Sequence, residues 1–195
     1  MLNGKEFDNG IYILRTNNLL YTKDEWNTSW NSEAVGVALL TDNIRVVIPA
    51  KRTYGAFSSK STSFQGVFMS SYIDIARNDF NGLSNTQNII KQASKDSFVV
   101  DIATYCTNFT FINGINGYIP SIGEWYESAF HYDQIKELMV LAFNSFSIEY
   151  GMANWSSTAY NDISMYTWRW DLKRYETKGM TYDSYAIPFG KLPFD

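Results

Sequence analysis

GYIPSIGEWYE (residues 117–127) joins a helix-start signal to an aromatic run. Ser121 and Glu124 have the spacing of a capping box, in which the hydroxyl accepts one free backbone N–H and the carboxylate accepts another. A helix is therefore predicted to begin at Ser121. Its apolar stripe contains Ile122, Trp125, Tyr126, Ala129 and Phe130. We expect Trp125 in this stripe, and Trp155 in the later stretch NWSSTAY (154–160), to be buried in one domain.

Strands are predicted before this helix. The runs 34–40 and 44–49 are nearly all apolar and rich in β-branched residues, and they flank the short turn TDN. This pattern is typical of a buried hairpin. Another strand is predicted at 10–14, in the sequence GIYIL.

Strands are also predicted after the helix. In residues 165–172, MYTWRWDL, the side chains alternate with a period of two, which indicates a half-buried strand with an aromatic face. Residues 185–189, YAIPF, form the last predicted strand. Pro188 marks it as an edge strand or a strand end, because proline has no N–H to donate.

Two segments have helical spacing besides the start at Ser121. Residues 81–106 place Val99 and Cys106 on one apolar face, and a cap is available at Ser84, Asn85 or Thr86. Residues 133–143 continue the helical pattern. The order of strands, helices and strands indicates an α+β fold with an antiparallel sheet.

The composition limits the class of partner. The chain of 195 residues has a net charge of −4, which disfavours binding to a nucleic acid backbone. It has 14 Tyr, 13 Phe and 6 Trp, and such amphipathic aromatics suit contacts with sugars or proteins as well as a core. No apolar run of membrane-spanning length and no secretion signal are found in the sequence, so no membrane insertion is expected.

The inventory of reactive residues does not favour an enzyme. One histidine, His131, and one cysteine, Cys106, exclude multi-histidine and cysteine metal sites, so no metal or cofactor is expected. Cys106 is predicted to be a buried inert thiol. The loop 77–88 lacks the acidic ligands of an EF-hand at its first and last positions. Glu124 and Glu127 lie one turn apart and could form the carboxylate pair of a glycosidase. Glu124 already serves as a helix cap, which disfavours this role.

Four motifs in order carry a resemblance to a known family. They are NGLSNTQNII, GYIPSIGEWYES, NWSSTAY and MYTWRW, followed by the terminal AIPF. Over residues 34–189 this series resembles the C-type-lectin-like domains of Bacteroides and their phages. The resemblance implies a fold of two helices with antiparallel sheets, in which residues 34–195 are the domain and residues 1–33 a docking segment.

The resemblance also implies a ligand surface on the last strands. The residues carried over to it are Tyr160, Asn161, Asp162, Tyr166, Trp168 and Arg169, although Tyr166 and Trp168 also fit the core face of their strand. Relatives include formylglycine-generating enzymes and variable phage receptor-binding proteins. The formylglycine-generating enzymes depend on cysteines, of which this chain has only Cys106, and the calcium-ligand triplets of sugar-binding lectins are absent from it.

The sequence therefore predicts a non-enzymatic binding module. The main hypothesis is a phage virion structural protein, in a fibre or a capsid decoration, that contacts a host surface or neighbouring virion subunits. The alternative is a bacterial cell-surface adhesin or an enzyme of the formylglycine-generating type. The expected partners are other virion proteins or a bacterial surface glycan or protein, and self-association is left open.

Overall fold

The computed structural model describes residues 7–112, 114–144 and 153–193. The strands in these residues are β1 (Gly10–Arg15), β2 (Leu20–Tyr21), β3 (Ala34–Leu40), β4 (Arg45–Ile48), β5 (Thr53–Ala56), β6 (Gly117–Tyr118), β7 (Ala153–Asn161), β8 (Ser164–Arg169), β9 (Arg174–Gly179), β10 (Asp183–Ala186) and β11 (Phe189–Lys191). The helices are α1 (Ile73–Ala76), α2 (Gly82–Lys95), α3 (Asp101–Asn108), α4 (Ile122–Phe130), α5 (Tyr132–Phe143) and a 3₁₀ helix at Thr28–Glu33.

The first sheet has six strands in the order β2-β1-β3-β4-β11-β6, and all its pairings are antiparallel. The predicted hairpin is confirmed: β3 pairs with β4, with Leu40 opposite Arg45 and Val37 opposite Ile48. Alternate residues of β3 enter different apolar clusters, since Leu39 and Ala38 pack on opposite sides. Both faces of this hairpin are therefore covered, which explains its continuous apolar sequence.

The second sheet has five strands in the order β5-β10-β7-β8-β9. Its pairings are antiparallel except for the parallel contact of β10 with β7, where Tyr185 lies opposite Asn154. The chain thus has mixed helices and strands with two sheets rich in antiparallel pairs. The α+β prediction holds at this level. The predicted number of helices, two, is too small, because the described residues contain five α-helices.

The helical predictions fail where the backbone turns. The single segment 81–106 is two helices, α2 and α3, because Ser97 takes a left-handed conformation (φ 54°) between them. α2 begins at Gly82 after Asn81, which makes no side-chain cap, so the caps proposed at Ser84, Asn85 and Thr86 are wrong. Val99 lies in the break and is exposed.

The capping box is confirmed at the start of α4. The Ser121 side chain accepts from the Glu124 N–H, and the Glu124 carboxylate accepts from the Ser121 N–H. The predicted stripe is right for Ile122 and Trp125, which are fully buried, and wrong for Phe130, which is exposed. His131 separates α4 from α5 at the end of this stripe.

The strand β8 is covered on both faces, which corrects the prediction of a half-buried strand. Tyr166 and Trp168 enter the same core cluster as Trp125 of α4. Met165 enters a second cluster with Cys106 of α3. Both faces of β8 are therefore buried, because helices lie against each face of the second sheet.

The last predicted strand divides between the two sheets. β10 belongs to the five-stranded sheet and β11 to the six-stranded sheet, and Ile187 and Pro188 connect them. Pro188 thus marks a strand end, as its missing N–H predicts.

Residues 7–33 belong to the same folded body as the rest of the described residues. β1 pairs along β3, from Gly10 opposite Leu40 to Arg15 opposite Ala34. Trp26 is buried in the cluster that contains Trp125. The proposed boundary at residue 33 therefore does not separate two folded units among the described residues, and a docking role for residues 1–33 stays a prediction.

Trp125 and Trp155 join the helices to the sheets. Both are fully buried, as predicted. The indole Nε1 of Trp125 donates to the Trp155 carbonyl (3.1 Å), and the indole of Trp155 donates to the Gly55 carbonyl (3.0 Å). Trp125 also packs edge-on against Trp170 and Phe189, with ring centroids 5.5 and 4.8 Å apart.

Truncation of Trp125 to Ala is expected to lower the free energy of unfolding by about 3–5 kcal/mol, because it leaves a large cavity and two unpaired aromatic neighbours. Denaturant titration measures this loss. Phe130→Ala is the control, since this exposed aromatic lies on the same helix, and it should change stability little. A loss below about 1 kcal/mol for Trp125→Ala would show that α4 is not a core element.

Candidate functional site

The predicted ligand surface does not form one patch. Tyr166 and Trp168 are fully buried, so their side chains do not face a partner. The Tyr166 hydroxyl donates to the Ser70 carbonyl (3.0 Å), and burial raises the pKa of Tyr166 to about 12. The prediction that Tyr166 and Trp168 lie on the ligand face is therefore wrong. They lie on the core face of their strand, which the period-two alternation of the sequence also allowed.

The other predicted residues lie at opposite ends of β8. Tyr160, Asn161 and Asp162 are at or near the surface around the turn from β7 to β8. Arg169 lies at the other end of β8, about 17 Å from Ser164 if each residue of the extended strand advances it by about 3.3 Å. Arg169 pairs through two hydrogen bonds with Asp171 (2.8 and 2.6 Å), which lowers the pKa of that carboxyl group.

The turn itself retains an exposed patch. Tyr160 packs edge-on against Tyr166, and Tyr166 in turn contacts the partly exposed Tyr175. Exposed Ile163 and Met69 lie beside it, since Met69 bridges to Ala159. A ligand role for Tyr160, Asn161 and Asp162 stays a prediction.

Sequence reasoning missed the residue that brings the motifs together. Asp79 is fully buried in the loop between α1 and α2. Its Oδ1 accepts from the backbone and side-chain nitrogens of Asn81, at 3.0 and 3.1 Å. Its Oδ2 accepts from Asn85 of α2 (2.8 Å) and from the Thr158 hydroxyl of β7 (2.6 Å).

The Asp79 backbone completes the link to α4. Its carbonyl accepts from the Ser121 hydroxyl (2.6 Å) and from the Gly123 N–H (3.1 Å). A Cβ at Gly123 would collide with this carbonyl, so the approach requires glycine. The Thr158 hydroxyl also accepts from the Ile122 N–H (2.9 Å). The segments NDFNG, PSIGE and WSST thus meet at Asp79, where WSST contacts the carboxyl group and PSIGE contacts the backbone carbonyl.

A second buried carboxyl group lies one turn into α4. Glu124 Oε1 accepts from the Tyr118 hydroxyl (2.7 Å), and Oε2 accepts from the Ser121 N–H (2.7 Å). Burial is the largest influence on Glu124 and raises its pKa to about 7, although these hydrogen bonds act in the opposite direction. Burial and the neighbouring Glu124 also raise the pKa of Tyr118.

Glu124 and Tyr118 line a pocket of about 220 Å³ between the first sheet and the start of α2. Both residues are nearly inaccessible, so they form its inner end. Arg45 of β4 and Lys191 of β11 lie in the walls, and Gln87 of α2 is exposed in them. The site therefore offers a titratable acid at its base, with amide and cationic groups above it.

The described residues contain no cluster of three His, Cys, Asp or Glu side chains arranged to hold a metal ion. Cys106 is the free thiol predicted to be buried, and burial raises its pKa well above the usual range. Among the helices of the described segments, none has the length and apolar character needed to cross a membrane.

Comparison with known proteins shows a likeness of fold. No family model matches the chain, and no curated protein matches its sequence. The fold is similar to that of a fimbrial protein from Bacteroides ovatus ATCC 8483, with a TM-score of 0.70 and 14% sequence identity. The similarity covers 95% of this chain and 49% of the fimbrial protein's chain, so this chain spans about half the length of that structure. The comparisons do not confirm a C-type-lectin-like domain.

Glu124 makes a specific contribution to the pH dependence of stability. Its pKa is about 7 in the folded chain and 4.5 in the absence of the fold, so the native state retains a proton that the unfolded state has lost between these values. Glu124 therefore makes its full contribution to the free energy of unfolding below pH 4.5. This contribution, roughly 3 kcal/mol, is lost as the pH rises through 7.

Glu124→Gln is expected to abolish this contribution, because the amide does not titrate. Its oxygen can accept from Ser121, and its N–H can donate to the Tyr118 oxygen. Unfolding titrations at pH 4, 6 and 8 should show the variant gaining stability relative to the parent chain as the pH rises. Glu127→Gln, one turn along and partly exposed, should show no such trend. An equal difference between parent and Glu124→Gln at all three pH values would contradict the assignment.

Proposed function

We propose that the chain is a non-enzymatic binding module displayed on a bacterial surface, in or beside a fimbria-like appendage. The observation that carries this proposal is the fold likeness to a Bacteroides fimbrial protein over 95% of the chain. This is the cell-surface alternative of the sequence analysis. The phage virion role finds no support in the comparisons.

The chemistry of the buried carboxyl groups favours binding over catalysis. A catalytic acid or base must reach a proton on the substrate. Both Glu124 oxygens instead accept from Tyr118 and Ser121, and Asp79 receives four hydrogen bonds from its own chain. These groups are positioned to stabilise the fold around the pocket, with the polar side chains above them facing outward.

The surface position is tested by immunogold electron microscopy of intact cells of the organism that encodes the chain. We expect an antibody raised against the purified chain to label the cell surface or its appendages, since a fimbria-like module is displayed there. A deletion strain is the control and should show no label.

Label that appears only inside sectioned cells would contradict the proposal. Label on virus particles and not on cells would replace it with the virion role.

A further inference from the structure

A polar groove extends from the pocket above Glu124 along helix α2. The pocket of about 220 Å³ and a neighbouring one of about 410 Å³ share Leu83, Gln87 and Lys191 in their linings. The two therefore form one depression between α2 and the β4-β11-β6 side of the first sheet. We name it the α2 groove; its main polar residues are Asn43, Asn81, Ser84, Gln87, Asn116 and Lys191.

Several of these polar side chains are available to a ligand. Ser84, Gln87 and Lys191 are exposed, and their side chains make no hydrogen bond or ion pair within the described part of the chain. Binding through them breaks no internal interaction. Amides and a hydroxyl each offer both a donor and an acceptor, while Lys191 adds donors only.

The groove also has apolar surface between the polar groups. Val46 of β4 and Ile44, which precedes β4, are buried residues that line the pocket, and Phe80 and Leu83 are partly exposed at its side. Ile115 adds apolar surface at the far end. A matching ligand has alternating hydroxyl and C–H surface.

We propose that the α2 groove binds a carbohydrate chain. Each sugar hydroxyl donates and accepts, which matches the amide and hydroxyl groups of Gln87, Ser84 and Asn81, and the C–H face of a pyranose ring matches Leu83 and Phe80. The inference rests on the proposed function, because it gives the surface module its ligand class.

The geometry disfavours two other macromolecules. A nucleic acid would meet a chain with net charge −4. A peptide that adds a strand to the sheet would need an accessible edge. The edge strand here, β6, has only two residues, and both Gly117 and Tyr118 are buried.

The test is binding of the purified full chain to a printed array of neutral and uronic-acid-containing oligosaccharides. We expect the parent chain to bind at least one group of oligosaccharides. The double variant Gln87→Ala, Lys191→Ala should bind the same oligosaccharides at least tenfold more weakly, because it removes an amide and a cation from the centre of the groove. A thermal melt checks that the variant remains folded.

Two controls locate the site. Lys95→Ala removes a cation from the same helix about 12 Å beyond Gln87 at 1.5 Å per residue, and should bind as the parent does. Tyr160→Ala tests the predicted patch at the turn from β7 to β8 as the competing site, because a loss of binding there with the groove variant unaffected would place the carbohydrate on that patch.

Binding of no oligosaccharide by the parent chain would overturn the inference, as would unchanged binding by the groove variant or loss of binding only in Tyr160→Ala. If the antibody labels the cell surface but the chain binds no oligosaccharide on the array, the carbohydrate inference is wrong and the proposed surface function still stands.

Discussion

The fold depends on one buried carboxyl group, that of Asp79. It lies in a loop and is fully inaccessible, and none of the ion pairs among the described residues includes it. Its four hydrogen bonds come instead from Asn81, Asn85 and Thr158. Leaving a buried polar group without a hydrogen-bond partner costs about 1–3 kcal/mol, so each donor is fixed in place by the need to satisfy this one acceptor. The carboxyl group thereby holds the start of α2 to the middle of β7, and the backbone carbonyl of Asp79 adds the start of α4 through Ser121 and Gly123.

This constraint also shapes the candidate site. Ser121 links the two acidic residues, because its hydroxyl lies within hydrogen-bond distance of the Asp79 backbone carbonyl and of the Glu124 carboxylate. A Cβ at Gly82 would collide with Glu124, so α2 and α4 approach each other closely at the base of the pocket. Because Gln87 and Ser84 lie on the helix that Asp79 positions, the polar side of the groove is held before any ligand arrives. Such preorganisation lowers the entropy that binding loses.

The features predictable from sequence are those that local residues determine. The Ser121 capping box and the β3–β4 hairpin follow from spacing over a few residues, and the burial of Trp125 follows from the helical stripe. The carboxyl group of Asp79 was missed because its partners lie up to 79 residues away in the chain. The exposure of β8 was mispredicted for a related reason: alternation fixes which residues share a face, but only the packing of helices on both sides decides that Tyr166 is buried.

The central claim is that Asp79 and Thr158 act as one unit that joins the helices to the second sheet. A double-mutant cycle with Asp79→Asn and Thr158→Val, followed by chemical unfolding, measures the coupling between them directly. The account predicts that each single variant loses at least about 1–2 kcal/mol and that the double variant loses less than their sum, with a coupling energy of at least about 1 kcal/mol. Additive losses within about 0.3 kcal/mol would contradict it, because they would show that the buried carboxyl group does not depend on the Thr158 hydroxyl.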